Sequence, residues 1–252
     1  LEGLDYQSPK YLHYVIEAMK IAFHDGHRYI TDPRFRTIPI DRLLSESYCR
    51  NRSAQITDTA KDFSDDALIA TDTVYLTVVD KDRNMVSFIN SLFNGFGSGV
   101  VVDGTGIALQ NRGSSFSLNP RHNNSLEPRK RPFHTIIPAM MYRNAEPYMS
   151  FGVMGGHMQP QGHVQMVLRL FAYGQNPQAA SDAPRWHVGN DHVVALEKGH
   201  DPSIMEDLKR RGHPVMLDVP TALFGGAQLI AKMGSIYCAA SDHRKDGQAV
   251  GF

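Results

Sequence analysis

Apolar residues recur at three- and four-residue steps from Ser8 to about Tyr29, through Leu12, Val15, Ile16, Met19 and Phe23. That spacing predicts a helix opening at Ser8-Pro9. Asp32-Pro33 ends it, and Ile40 to Tyr48 predicts a second, shorter helix. Residues from about Asn51 to Ala70 are polar without a period and read as an exposed connector.

The pattern changes at Asp72. Thr73 to Asp80 is rich in β-branched and aromatic residues, Lys81 to Asn84 makes a turn, and Met85 to Asn90 returns, which predicts a hairpin. Further strands are expected at Gly99–Val102, Ile107–Gln110, Ile136–Tyr142 and Tyr148–Gly152. Helices are then expected over Gln161–Tyr173, stopped by Gly174, over Pro177–Asp182, and over Pro202–Arg211, stopped by Gly212. Strands resume at Val193–Leu196, Ala227–Ala231 and Ile236–Ala239. Strands, helices and strands again imply a layered α+β sandwich.

Composition narrows the partners. Lys plus Arg and Asp plus Glu number 26 each, which favours neither nucleic acid nor an anionic membrane. No apolar run approaches the length of a membrane span. The chain opens on Leu1 with no leader-like pattern, so the start of the gene product is expected to lie outside it. Cys49 and Cys238 fit no metal or redox spacing and are expected to be two buried thiols, with pairing open to an exported protein.

Generic motif searches find little. His157, His163, His187, His192 and His200 fit no strong metal spacing, there is no HExxH, GxSxG or phosphate loop, and Gly97 and Gly99 in GFGSG read as a turn.

One long segment is more informative. DTVYLTVVDKDRNMVSFINSLFNGFGSGVVVDGTGIALQN from Asp72 is followed in order by KRPFHTIIPAM (Lys130–Met140), FGVMGGHMQPQGH (Phe151–His163), DAPRW (Asp182–Trp186) and the ending ASDHRKDGQAVGF. These motifs resemble the gamma-glutamyltransferase family of N-terminal-nucleophile (Ntn) hydrolases, from about Asp5 to Phe252. The resemblance implies a four-layer αββα sandwich and a precursor that cuts itself between Asp72 and Thr73. Residues 1–72 would then be the helical tail and linker of the large subunit, and residues 73–252 the small, catalytic subunit.

Elementary chemistry shows why such a cut matters. A Thr hydroxyl within a chain is a poor nucleophile and needs an adjacent base. A liberated α-amino group has a pKa of about 7.7 to 8.0, so much of it is neutral at working pH and can take the hydroxyl proton. Thr73 would thus supply both nucleophile and base. By the same resemblance, Gly155 and Gly156 supply backbone N–H donors to the oxyanion, and Ser91 is the hydroxyl that bonds the nucleophile. Asn111 falls beside the substrate pocket.

The chain also departs from the family. Where classical members hold the substrate's α-ammonium with Asn, Gln and Asp, this sequence carries Phe93, Arg112 and Ser115. A guanidinium facing an ammonium repels it by up to about 4 kcal/mol at roughly 4 Å and an effective dielectric near 20. The serines that help hold the α-carboxylate are replaced by His134 and Thr135. Arg112 with His134 and Thr135 suits a carboxylate close to the scissile amide, since Arg matches carboxylates in a two-pronged geometry. This pattern is similar to a divergent branch of the family that acts on small acid amides such as oxamate, and glutaryl-type acylases of the same superfamily are a further alternative.

The expectation is therefore an autoprocessing amidohydrolase that passes an acyl group from Thr73 to water, with no metal or organic cofactor. A γ-glutamyl transferase and an unprocessed, silent binding homologue stay open. The partners expected are a small amide, the remaining large-subunit segment of the same precursor, and a second processed copy in a homodimer of heterodimers. The cytoplasm is the expected compartment, with periplasm or secretion open.

Overall fold

A computed structural model describes residues 1–63, 72–189 and 191–251. Its helices are α1 (Pro9–Tyr29), α2 (Ile40–Leu43), α3 (Glu46–Ser53), α4 (Met158–Val167), α5 (Pro177–Asp182) and α6 (Pro202–Arg210). Its strands are β1 (Asp72–Val79), β2 (Met85–Phe93), β3 (Val101–Val102), β4 (Ile107–Ala108), β5 (Ala139–Arg143), β6 (Glu146–Met154), β7 (Trp186–Val188), β8 (Val194–Leu196), β9 (Val215–Met216), β10 (Gly226–Met233) and β11 (Ile236–Ser241). By packing these fall into two units, the first from 1–63, 112–134 and 188–217, the second from 72–111, 135–187 and 218–251. The units cross the covalent division expected at Thr73.

In the first unit, α1 begins where the Ser8 hydroxyl accepts from the Tyr11 amide, with a proline in the first turn. It buries Leu12, Val15, Ile16 and Met19, the stripe its spacing predicts, and packs against α6. The second predicted helix breaks in two, because Ser45 caps a new start by accepting from the Tyr48 amide. Strands β8 and β9 pair in parallel, Val194 opposite Val215. The helix α3 extends to Ser53, beyond the expected start of the connector, whose residues 64–71 lie outside the described ones.

The first unit also buries charge. The Lys20 ammonium donates to Glu17 Oε1 at 2.8 Å and to the Lys61 carbonyl at 3.3 Å, and lies 3.1 Å from His213 Nδ1. An ammonium has only protons to offer, so His213 Nδ1 accepts and its proton sits on Nε2. That proton goes to His13 Nδ1 at 2.8 Å, and His13 Nε2–H in turn donates to the Thr57 carbonyl at 2.7 Å. Glu17 Oε2 accepts from the Lys61 amide at 3.1 Å. The network thus ties two points of the connector, Thr57 and Lys61, to α1.

The second unit is layered. Its central sheet is antiparallel in the order β11-β10-β6-β5. Alternate residues of β6 point to opposite faces. Met149, Phe151 and Val153 join Met166, Ala180, Ala227 and Leu229 in a core beneath α4 and α5. Ser150 and Gly152 face the β1–β2 hairpin instead: Thr77 Oγ1 donates to Ser150 Oγ at 2.6 Å, and a Cβ on Gly152 would sit 2.5 Å from the Tyr75 ring. Helix, sheet and hairpin therefore stack as three layers, and β6 reads as a nearly continuous apolar run because both its faces are covered.

Several boundaries differ from expectation. The helix expected from Gln161 starts at Met158, because Pro160 fits within a first turn, and it ends in a π-helical turn at Leu168–Ala172. The strand expected from Ile136 begins at Ala139, after Pro138, which has no amide to give a ladder. The strands near Gly99 and Ile107 shrink to two residues each. Both cysteines are free, but Cys49 is exposed and Cys238 half-buried, contrary to the expectation of buried thiols.

Candidate active site

Thr73 lies at a bulge. Asp72 pairs with Phe93 and Val74 with Asn90, so one residue of β1 opposes two of β2, Ser91 and Leu92. A bulge re-aims the local side chain, and Thr73 is only 5% exposed. Its Oγ1 donates to Ser91 Oγ at 3.1 Å. Ser91 Oγ also accepts from the Phe93 amide at 2.9 Å. Phe93, buried, has φ of 81°, a conformation uncommon for a bulky residue and held here by the surrounding contacts. Asn111 closes the end of the hairpin: its amide donates to the Leu92 carbonyl and its Oδ1 accepts from the Asn94 amide at 3.0 Å.

Gly155 and Gly156 form the turn between β6 and α4, with φ of 118° and 59°. The Gly155 carbonyl accepts from the Met158 amide and the Gly156 carbonyl from the Gln159 amide, both at 3.0 Å. Thr135 Oγ1 donates to the same Gly156 carbonyl at 3.0 Å and lies 3.4 Å from His157 Nδ1. Gly225 packs close behind, because a Cβ on Gly155 would approach its Cα to 3.0 Å. The His157 ring meets the Phe93 ring edge-on, centroids 6.1 Å apart.

The remaining expected residues belong to the first unit. Arg112 and Ser115 lie on a short 3-10 turn, with Arg112 buried and Ser115 half-buried. Burial holds the Arg112 guanidinium below its usual range. His134 is exposed, yet its imidazole is held below the ordinary value, first by desolvation of the ring and then by the positive charges of Arg112 and Arg131. Arg112 and His134 thus sense each other electrostatically. The second unit holds Thr73, Ser91, Phe93, Asn111, Thr135, Gly155 and Gly156.

No cluster of potential metal ligands occurs among the described residues. His163 is structural: Nε2 accepts from the Val153 amide at 3.0 Å, and burial lowers its pKa to about 4. Among the described residues, no helix is long and apolar enough to cross a membrane.

Spacing alone does not set His157 apart from His163, His187, His192 and His200, and no sequence motif singles out Gly225. Position beside Gly155-Gly156 was the available signal for the first, and the Gly225-Gly226 pair for the second. A hydroxyl in a strained hairpin end, a hydroxyl partner and a glycine turn in the same unit are components of acyl-transfer chemistry.

Comparison with known proteins bears on that reading. A model described as gamma-glutamyltranspeptidase matches residues 1–252. The chain is 37% identical to a glutathione hydrolase-like YwrD proenzyme of Bacillus subtilis, over 99% of this chain and 49% of that protein. It is 33% identical to an oxamate amidohydrolase proenzyme of Klebsiella pneumoniae, over 100% of this chain and 49% of that protein. Among solved structures, a cephalosporin acylase from Bacillus halodurans matches with a TM-score of 0.87 and 42% identity, covering 98% of this chain and 46% of that one. A chain of the Pseudomonas nitroreducens gamma-glutamyltranspeptidase complexed with L-DON matches with a TM-score of 0.62 and 26% identity, over 71% of this chain and 97% of that one. The chain spans about half the length of the curated relatives it matches.

Proposed function

Since this chain belongs to the gamma-glutamyltranspeptidase family of Ntn-hydrolases, we propose that it is the catalytic part of an amidohydrolase that cuts itself between Asp72 and Thr73. The cut creates a base on the residue that carries the nucleophile. The Thr73 amine takes the Oγ1 proton, Oγ1 bonds to the amide carbon, and the Gly155 and Gly156 amides receive the oxyanion. Collapse breaks the C–N bond, the amine leaves with a proton, and water then hydrolyses the acyl ester. One observation carries this reading: Thr73 Oγ1 is buried at the hairpin bulge and bonded to Ser91 Oγ at 3.1 Å.

Arg112 and His134 would bind the substrate carboxylate. A buried guanidinium beside a partly desolvated imidazole gains from an anion. With Phe93 and Ser115 in place of polar and acidic groups, nothing at those positions matches an α-ammonium. Oxamate-like acid amides fit this arrangement. The likeness to the cephalosporin acylase supports a second reading, an acyl amide carrying a longer acid chain. Relatives named glutathione hydrolases keep γ-glutamyl transfer as the alternative. In the complete proenzyme the rest of the large subunit would cover the outer face of the hairpin and add the fourth layer, and two processed heterodimers would form the dimer in the cytoplasm. A silent, uncut homologue is the reading of another class.

Processed protein assayed on oxamate, a glutaryl amide and a γ-glutamyl anilide separates these readings. Turnover of the acid amides is expected. Efficient turnover of the anilide alone contradicts the carboxylate assignment, and no turnover of any amide supports the silent homologue.

A further inference from the structure

We propose that Thr135 and His157 are positioning residues of the Gly155–Gly156 turn, and that Thr135 does not bind the substrate carboxylate. The inference rests on Thr73 being the nucleophile and on the turn receiving the oxyanion. A Thr hydroxyl has one proton. In Thr135, which is buried, that proton goes to the Gly156 carbonyl at 3.0 Å. A carboxylate accepts only, so Thr135 could serve it only by abandoning Gly156. The side of the hydroxyl left to accept lies 3.4 Å from His157 Nδ1, which fixes the imidazole proton on Nδ1.

The geometry of the turn shows what this achieves. The Gly156 carbonyl accepts from both Gln159 N and Thr135 Oγ1, so both of its lone pairs are used and the peptide plane that follows Gly156 is held from the helix and from outside it. The Gly155 carbonyl, held by Met158 N, sets the plane that carries the Gly156 amide. Glycine at φ of 118° and 59° has little intrinsic preference for that conformation, so the Gly156 amide is set directly by the bond to the Gly155 carbonyl, and the Thr135 bond acts on it through the Gly156 φ and ψ by fixing the next peptide plane. His157 extends the contact to Phe93, whose amide bonds Ser91 Oγ, the acceptor for Thr73 Oγ1. Thr135 and His157 therefore tie the oxyanion turn to the nucleophile's end of the hairpin.

Thr135→Val keeps the shape and removes the hydroxyl. In the processed enzyme, kcat on its best amide substrate is expected to fall about ten- to a hundredfold, with KM changed less than about twofold. Thr135→Ser should restore most of kcat. Amide hydrogen exchange of the peptide spanning Gly155 to His157 is expected to speed up about tenfold in Thr135→Val, with Met149 to Val153 unchanged. His157→Phe, which keeps the ring against Phe93 and loses the Nδ1 donor, should shift both readouts in the same direction by less. A raised KM with kcat retained, or unchanged exchange at the turn, overturns the proposal. If no amide is turned over by the unaltered protein, the functional reading fails while the exchange measurement still decides this one.

Discussion

Along β1 the inward positions are Thr73, Tyr75 and Thr77, and the outward ones are Val74, Leu76 and Val78. On β2, Val86 and Phe88 lie opposite Val78 and Leu76 and are also outward. A half-buried strand ordinarily turns its apolar residues in and its polar ones out. Here hydroxyls (Thr73, Tyr75, Thr77, Ser87) share the inner side with Val79, Met85 and Ile89, while the outer side is mostly apolar, with Val74 67% and Phe88 51% exposed. The inward hydroxyls are paired: Tyr75 Oη bonds Ser87 Oγ within the hairpin at 2.7 Å, and Thr77 bonds Ser150 of the sheet beneath. The contrast teaches that the inner face keeps its polar groups hydrogen-bonded in a largely buried interior. The outer face, with Val74, Leu76, Val78, Val86 and Phe88 exposed, is an apolar surface of the kind that marks an interaction site.

The largest effect expected is on the inner face. Thr73→Ala removes the nucleophile, and it should leave the proenzyme as one chain and lower amide turnover at least about a thousandfold. Gel mobility and a hydrolysis assay check it, and the thermal midpoint should stay nearly unchanged. A variant that still processes would break the assignment of chemistry to this face.

The outer face is tested next. Phe88→Glu in the complete proenzyme places a carboxylate where an apolar partner is expected, and should lower stability by about 2 to 3 kcal/mol or more. Denaturant unfolding measures this. If Phe88 is truly solvent-facing, the change should stay within about 0.5 kcal/mol, and the contrast between the two faces fails.

A pH dependence sharpens the comparison further. On the inner face, burial pushes the Tyr75 hydroxyl up, so it stays neutral at working pH. The network in the first unit is ionic. His213 is lowered from 6.5 to about 3 by burial first, then by Lys20, His13 and Arg211, with Asp207 opposing, and Glu17 lies 4.0 Å away. A depressed folded pKa means that the neutral form is the folded one. Its stabilisation is complete above about 6.5 and is lost as pH falls toward about 3, at up to about 1.4 kcal/mol per unit. Acid should therefore expose the connector around Thr57 and Lys61 to protease before it disturbs the hairpin. Cleavage in that connector that does not change between pH 7 and pH 4 would contradict the network's role.

The long elements were legible because their burial is one-sided. The α1 stripe and the hairpin turn at Lys81–Asn84 follow directly from spacing, and the ordered motifs single out Thr73 and the Gly155–Gly156 pair as candidates. Boundaries were less legible where local chemistry competes with period: Ser45 caps a new helix inside an expected one, and Pro160 sits inside α4. The pairing of Thr135 with Gly156 was not legible, since residues 21 apart meet only through the β5–β6 excursion. Nor was the buried network, because His13 and His213 are 200 positions apart and each reads as an ordinary polar residue.

The central claim is that one cut turns Thr73 into a nucleophile with its own base. Intact mass and amino-terminal sequencing of active, full-length protein test it most directly. Two fragments are predicted, the smaller beginning at Thr73. Active protein whose chain still runs unbroken through Asp72-Thr73 would contradict the account.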